Sequence, residues 1–152
     1  MKKILVTAFL ISIVCLSQPI EGDKSFYSSG YFNLFPEDER SGSVDVGIGY
    51  FYSDNLEATF GLSFDYKNDT LGTGIVPGIN LYLPVSDLFY INTGLEFLLK
   101  VTPDFQYVGR FNSGFIYFIS EMTGFRIYNQ LEKFQNIETW KDRIKVGIVV
   151  FF

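Results

Sequence analysis

The sequence predicts an all-β chain that closes into an up-and-down antiparallel barrel of about eight strands. Three observations predict this fold. Apolar and polar residues alternate along most of the chain, polar turn residues separate the alternating segments, and the last residues form one more such segment. Sequential segments joined by turns form a meander, and closing it pairs both edges of every strand. With 152 residues, we expect one domain.

The segment from residue 56 to residue 66 shows the alternation most clearly. Apolar side chains occupy every second position, and the residues between them are polar or glycine. The two sets are Leu56, Ala58, Phe60, Leu62, Phe64 and Tyr66 on one face, and Glu57, Thr59, Gly61, Ser63 and Asp65 on the other. A period of two over this length is incompatible with a helix, so the segment is predicted to be a strand.

The other predicted strands are less regular. The first, from Ser25 to Phe35, does not indicate which of its side chains share a face. The fourth contains Pro77, which removes one hydrogen-bond donor from the sheet. The seventh has Asn129 on its apolar face, and a polar segment from Glu132 to Lys141 is expected to connect it to the last strand. The predicted turns are Pro36–Gly42, Ser53–Asn55, Lys67–Thr70, Pro84–Asp87, Thr102–Asp104 and Glu121–Gly124.

The beginning of the chain is typical of a secretory signal peptide. Lys2 and Lys3 precede an apolar run, Ile4 to Leu16, that is shorter than the roughly 20 residues a membrane-spanning helix needs. We predict a signal peptide over residues 1–17, with cleavage near 17–22, and a barrel over residues 23–152. The only cysteine, Cys15, would be removed, so disulfides and thiol chemistry are not expected. The remaining net charge of about −7 disfavours nucleic acid and anionic lipid as partners.

The composition indicates that something other than water covers part of the barrel. Hydrophobic residues make up 47% of the chain and charged residues 19%, a small charged fraction for a water-exposed surface. The apolar face of the strands is bulky, whereas the opposite face is rich in glycine, as a narrow interior requires: Gly61, Gly74, Gly78, Gly94, Gly114 and Gly147. This pattern favours a transmembrane barrel with its apolar face in lipid. The alternative is a soluble lipocalin-like carrier of apolar ligands.

Charged residues on the predicted inward face are mostly acidic early in the chain and basic late. In a closed ring they would face each other across the lumen, so we predict an ion-pair network: Asp45, Glu57, Asp65, Glu96, Lys100, Arg110, Arg126, Arg143 and Lys145. If Thr102–Asp104 is the turn, Glu96 lies opposite Arg110. Such a cross-strand pair contributes about 0.2–1 kcal/mol. We expect the network to plug the lumen, because eight strands barely hold their own side chains. The alternative is a selectivity constriction or a proton path.

The residue types disfavour catalysis. The chain has no histidine, which excludes Ser-His-Asp hydrolases and histidine-ligated metals. Glu57 with Asp65 could form an acid and base pair, but nearby Arg and Lys side chains explain these carboxylates as ion pairs. The acidic residues Glu37–Glu39 lack the spacing of an EF-hand calcium loop. We therefore predict no enzymatic activity, no cofactor and no metal.

The last residues carry a more specific pattern. Ile144, Val146, Ile148, Val150 and Phe152 share one face, opposite Arg143, Lys145 and Gly147. The order Lys145, Gly147, Val150, Phe152 resembles the closing-strand signal of bacterial outer-membrane barrels. This resemblance implies that the barrel-assembly machinery recognises the strand during insertion. The alternative is an ordinary buried last strand.

In architecture, residues 23–152 resemble the small Gram-negative outer-membrane barrels of the OmpA, OmpX and opacity-protein group. The resemblance implies a monomeric integral protein of the bacterial outer membrane, with membrane lipid as its surroundings. The predicted loops are short, which disfavours a role as an adhesin. We predict a structural or surface-interaction role with a largely plugged lumen. The alternative is a narrow, porin-like channel for small solutes, similar to OmpW-type barrels.

Overall fold

A computed structural model describes Pro19 and residues 21–33, 41–67, 70–102, 105–135 and 139–152. The eight strands are β1 (Lys24–Asn33), β2 (Ser41–Ser53), β3 (Leu56–Lys67), β4 (Thr70–Ser86), β5 (Phe89–Thr102), β6 (Gln106–Phe118), β7 (Thr123–Phe134) and β8 (Lys141–Phe151). Each strand pairs with its neighbours in sequence, and β1 pairs with β8, which closes the barrel. The predicted all-β barrel of eight antiparallel strands is therefore confirmed. Among the described residues, no helix is long and apolar enough to cross a membrane.

Parts of several predictions lie outside the described residues. They are the signal peptide, residues 1–17, the end of the first strand, 34–35, most of the first turn with its acidic residues Glu37–Glu39, the turn residues 68–69 and 103–104, and residues 136–138 of the last connection.

The two ends of the barrel differ. Tight turns at residues 54–55, 87–88 and 119–122 lie at the end where β1 begins and β8 finishes. We call this the terminal end and the opposite one the loop end. Lys24 and Phe152 exchange two backbone hydrogen bonds of 2.9 Å, so the first and last strands are joined at the terminal end.

The apolar face of the strands points outward. The side chains of Phe60, Leu62 and Phe97 are 52%, 45% and 46% exposed, whereas Glu57 and Arg110 are 1% and 2% exposed. The predicted assignment of the two faces is therefore correct. In water, an apolar surface of this extent would drive association, but in a bilayer it would contact acyl chains.

The structure shows how the irregular first and fourth strands are arranged. In β1, Ser25, Tyr27 and Ser29 are buried in the interior, and Phe26 points outward. In β4, Pro77 lies opposite Phe60 of β3, but the β4–β5 pairing is interrupted at residues 76–77. Proline has no backbone N–H to donate to a neighbouring strand. The interruption is on the β5 side of Pro77, where such a donor would be needed.

The expected connection from Glu132 to Lys141 is wrong at its first residues. Strand β7 continues to Phe134, and Glu132 lies opposite Arg110 with only 1% of its surface exposed. The local sequence is polar because this side chain faces a charged interior rather than a loop. Glu132 therefore adds an acid to the interior that the sequence pattern did not predict.

Two glycines make room for a large side chain in the narrow interior. A Cβ atom built on Gly47 would lie 2.5 Å from Tyr27 Cζ, and one built on Gly61 would lie 2.6 Å from Tyr27 Oη. The tyrosine ring thus lies against backbone of β2 and β3. Any larger residue at either glycine would occupy the volume of that ring.

Candidate functional site

The interior of the barrel carries a balanced set of charges. Among the described residues, five acids face inward and are buried or half-buried, Asp45, Glu57, Asp65, Glu96 and Glu132, and five bases do so, Lys100, Arg110, Arg126, Arg143 and Lys145. The nine residues predicted from the sequence are all among these ten. Lys141 shares the inward side of β8 but is exposed. The balance matters because an unpaired charge in a low-dielectric interior is strongly unfavourable.

Arg110 is the centre of the network. Its Nε donates to Glu132 Oε1 at 3.0 Å, and its Nη1 lies 3.4 Å from Asp45 Oδ2. The register places Glu96 directly opposite Arg110, as the turn length predicted, with Nη1 and Oε2 at 4.0 Å. The Lys145 ammonium also contacts Asp45. One guanidinium thus links carboxylates from three other strands, β2, β5 and β7.

Two further ion pairs lie nearer the loop end and are partly exposed. Lys100 Nζ lies 2.7 Å from Asp65 Oδ2. Arg143 Nη1 lies 3.1 Å from Glu132 Oε2, and its guanidinium lies 4.6 Å from the ring centroid of Tyr31. Solvent screening weakens such pairs relative to those around Arg110.

Glu57 is held by hydrogen bonds rather than by an ion pair. Its carboxylate accepts from Tyr82 Oη at 2.7 Å and Asn80 Nδ2 at 3.0 Å, and from the Ser25 hydroxyl. Two of these donors come from β4, which pairs with β3, and the third comes from β1, which lies beyond β2 in the barrel wall. A buried carboxylate with several donors remains stable as an anion without a neighbouring base.

Arg126 is the least satisfied member of the set. Its guanidinium lies 4.3 Å from the ring centroid of Tyr128. Within the described part of the chain, its Nε and Nη2 atoms have no hydrogen-bond partner, although the side chain is buried. The negative charges of Glu96 and Glu57 act on it from a distance. The sequence predicted an ion-paired Arg126; its closest described contact is instead an aromatic ring.

The terminal end of the interior is apolar. Phe118 stacks on Phe151 with ring centroids 5.4 Å apart, and Phe51 lies 5.7 Å from Phe151. The buried cluster consists of Tyr27, Phe51, Tyr82, Tyr90, Ile116, Phe118, Val149 and Phe151. The sequence interpretation of the interior as glycine-lined and charged was therefore incomplete. These apolar residues alternate along their strands with the outward-facing ones. The alternation could therefore have predicted that they face the interior.

A smaller apolar cluster lies toward the loop end. Val76, Leu98 and Val108 are buried together, and Phe134 packs against them. The charged network around Arg110 thus has apolar side chains on both sides along the barrel axis. This environment lowers the local dielectric and strengthens each ion pair.

The four residues of the predicted closing-strand signal occupy different environments. Lys145 is buried with Asp45, Gly147 lies opposite Ser29, and Val150 lies opposite Phe26. Phe152 hydrogen-bonds to Lys24 through its backbone. Gly147, Val150 and Phe152 lie in the β1–β8 seam that closes the barrel, and Lys145 lies just beyond it. Recognition of these residues during insertion stays a prediction.

The carboxylates considered for catalysis or metal binding are engaged separately. The described residues contain no group of three or more side chains suited to holding a metal ion. Glu57 and Asp65, considered as an acid and base pair, have different partners.

Comparison with known proteins identifies the class of fold. No protein-family model and no curated protein sequence matches the chain. Among solved structures, the chain is similar to one titled as a de novo designed transmembrane β-barrel, at 14% identity and a TM-score of 0.63, covering 90% of this chain and 100% of that one. The chain therefore has the fold of a transmembrane β-barrel.

A natural protein has the same architecture. The chain is similar to the N-terminal β-barrel domain of Pseudomonas aeruginosa OprF, at 13% identity and a TM-score of 0.63, covering 87% of this chain and 98% of that domain. At these identities, the likeness concerns the fold.

Proposed function

We propose that the protein is a monomeric integral protein of the bacterial outer membrane, with a structural or surface-interaction role and a closed lumen. The outward apolar band supports membrane insertion, because the strands that it surrounds form a closed ring, paired at the terminal end and through the middle except at residues 76–77 of the β4–β5 seam. The signal-peptide pattern of residues 1–17 and the closing-strand residues support export and assembly in the outer membrane.

The observation that carries the closed lumen is the burial of the central charges. Asp45, Arg110 and Lys145 are 4%, 2% and 0% exposed. A conducting pore would expose the side chains that line it, so the burial of these charges supports a closed lumen. The ion pairs around Arg110 and the apolar cluster at the terminal end support it as well.

The proposal is tested in two steps. The chain is expected to fractionate with outer membranes and to migrate faster on gels when unheated, because the folded barrel stays compact. The purified protein is then placed in planar bilayers, where we expect no discrete conductance steps. Reproducible steps whose ion selectivity changes in Asp45→Asn would contradict the closed lumen and favour the channel for small solutes.

A further inference from the structure

The seam between the first and last strands is open toward the loop end. Pairing of β1 with β8 runs from Lys24–Phe152 to Gly30–Val146. Among the described residues, no β1–β8 pair follows, although β1 continues to Asn33 and β8 begins at Lys141. Over these residues each strand pairs only with its other neighbour, β2 or β7. The edges of β1 and β8 therefore separate toward the loop end, where the other neighbouring strands stay paired.

A cavity of about 900 Å³ occupies this opening. We call it the seam notch and define it by Gly30, Tyr31, Ser41, Lys141, Arg143 and Val146. Its volume lies within the range of small-ligand sites, roughly 300–1,000 Å³. Backbone groups of the two open strand edges border it, and unpaired N–H groups in a membrane need an acceptor.

The charges around the notch favour an anion. Arg143 and Lys141 line it, and the positive charges of Lys67 and Lys100 also act on Lys141. Lys141 lies 4.8 Å from the ring centroid of Phe134 and makes no ion pair with the described residues. An anion bound here would relieve the mutual repulsion of these bases.

Among the described residues, the acidic groups near the notch are engaged in ion pairs or directed outward. Glu132 is shared between Arg110 and Arg143, and Asp65 pairs with Lys100. Asp142 also borders the notch, but it is exposed and alternates with Lys141 and Arg143, on the outward side of β8. The inward lining is therefore basic.

The outer rim of the notch is apolar. Ile144 and Val146 point outward and are exposed, and Trp140 is exposed just before β8 begins. A basic recess beside an apolar, lipid-facing wall matches a molecule with a phosphate head and acyl chains. A strand from another polypeptide would satisfy the same backbone edges, but it would pair with Lys141 and Arg143 only if it carried acidic side chains at matching positions.

We propose that the seam notch binds the phosphate headgroup of an anionic membrane lipid. The phosphate oxygens accept from Lys141, Arg143 and the open backbone edges, and the acyl chains lie along Ile144 and Val146. This inference rests on the proposed membrane location. Each basic residue near a membrane surface favours an anionic lipid about fivefold.

The sole tryptophan, Trp140, provides the measurement. The full chain is folded into phosphatidylcholine vesicles that contain the same minor fraction of acyl-brominated phosphatidylglycerol or acyl-brominated phosphatidylcholine. Bromine quenches tryptophan emission at short range. We expect the brominated anionic lipid to quench the emission several-fold more than the brominated phosphatidylcholine does. This preference should fall about fivefold in Lys141→Gln and further in the double variant with Arg143→Gln.

Lys133→Gln is the matched control. Lys133 lies 5.9 Å from the Trp140 ring but does not line the notch, so its removal should leave the lipid preference nearly unchanged. If Lys133→Gln and Lys141→Gln reduce the lipid preference equally, the basic residues attract the bilayer diffusely and the proposal is overturned. Relief of the preference by added glycerol phosphate would assign the notch to a soluble phosphate and also overturn it.

Two other outcomes are distinguishable. A heat-modifiable barrel that both lipids quench equally overturns the inference and leaves the proposed function intact; chain-to-chain crosslinks through Lys141 in that sample would assign the notch to a second copy. Failure to form a heat-modifiable barrel in either lipid contradicts the proposed function itself.

Discussion

Arg110 on β6 reaches Asp45 on β2 across the barrel, with 3.4 Å between Nη1 and Oδ2. The two strands are opposite each other in the ring of eight, so this contact spans the lumen rather than following the wall. Lys145 joins the same carboxylate from β8. The polar interior thus performs the packing role that an apolar core performs in a water-soluble domain, and its stability depends on complete pairing.

Asp45→Asn should destabilise the folded barrel by about 3–5 kcal/mol, because it leaves Arg110 and Lys145 buried without a balancing charge. Urea unfolding in lipid vesicles, followed by tryptophan emission, measures the change. Asp65→Asn is the control. Asp65 and its partner Lys100 are partly exposed, so the loss there should be about 1 kcal/mol or less. Similar losses of stability in the two variants would show that the ion pairs spanning the lumen stabilise the barrel no more than the partly exposed pair does.

Tyr82→Phe should cost about 1.5–3 kcal/mol, because Glu57 loses a charged hydrogen bond of 2.7 Å while the ring is retained. Tyr117→Phe is the comparison, since Tyr117 is exposed on the outer face, and its effect should be close to zero. The free energy of unfolding of both variants is measured in the same lipid. If Tyr82→Phe leaves the free energy of unfolding unchanged, the other donors to Glu57 are enough to stabilise its buried carboxylate.

Leu62→Arg should destabilise the protein by about 2–4 kcal/mol in a bilayer, because Leu62 is exposed on the outer face near the middle of β3. Leu56→Arg, on the same face beside a terminal-end turn, should cost about 0–1 kcal/mol. The difference between the two variants reports depth in the membrane. Equal effects of both changes would contradict the assigned position of the bilayer.

Gly61→Ala should cost about 1–3 kcal/mol, because the added methyl group would lie 2.6 Å from Tyr27 Oη and 2.8 Å from a backbone oxygen. Gly109→Ala is the control, since nothing lies within 4 Å of a Cβ built there. Equilibrium unfolding of both variants provides the measurement. A neutral Gly61→Ala would mean that Tyr27 moves aside without loss of packing.

Some details of the site were predictable from local pattern. The alternation in residues 56–66 predicted β3 and its two faces, because successive side chains of a strand point to opposite sides. The length of one turn predicted that Glu96 lies opposite Arg110. Other details were not predictable. The parity of β1 is ambiguous because apolar side chains occur on both of its faces, and Glu132 begins a mostly polar stretch, which predicts a connection rather than a strand.

The sequence by itself determined the class of fold, the approximate number of strands and, along the regular strands, which side chains face inward, since a period of two is a property of each strand alone. Only the tertiary structure decided which inward side chains meet. The contact of Arg110 with Asp45, the aromatic surroundings of Arg126 and the open seam beyond Gly30 and Val146 depend on strand tilt and register around the closed ring. These follow from how all eight strands fit together, so no single segment contains them.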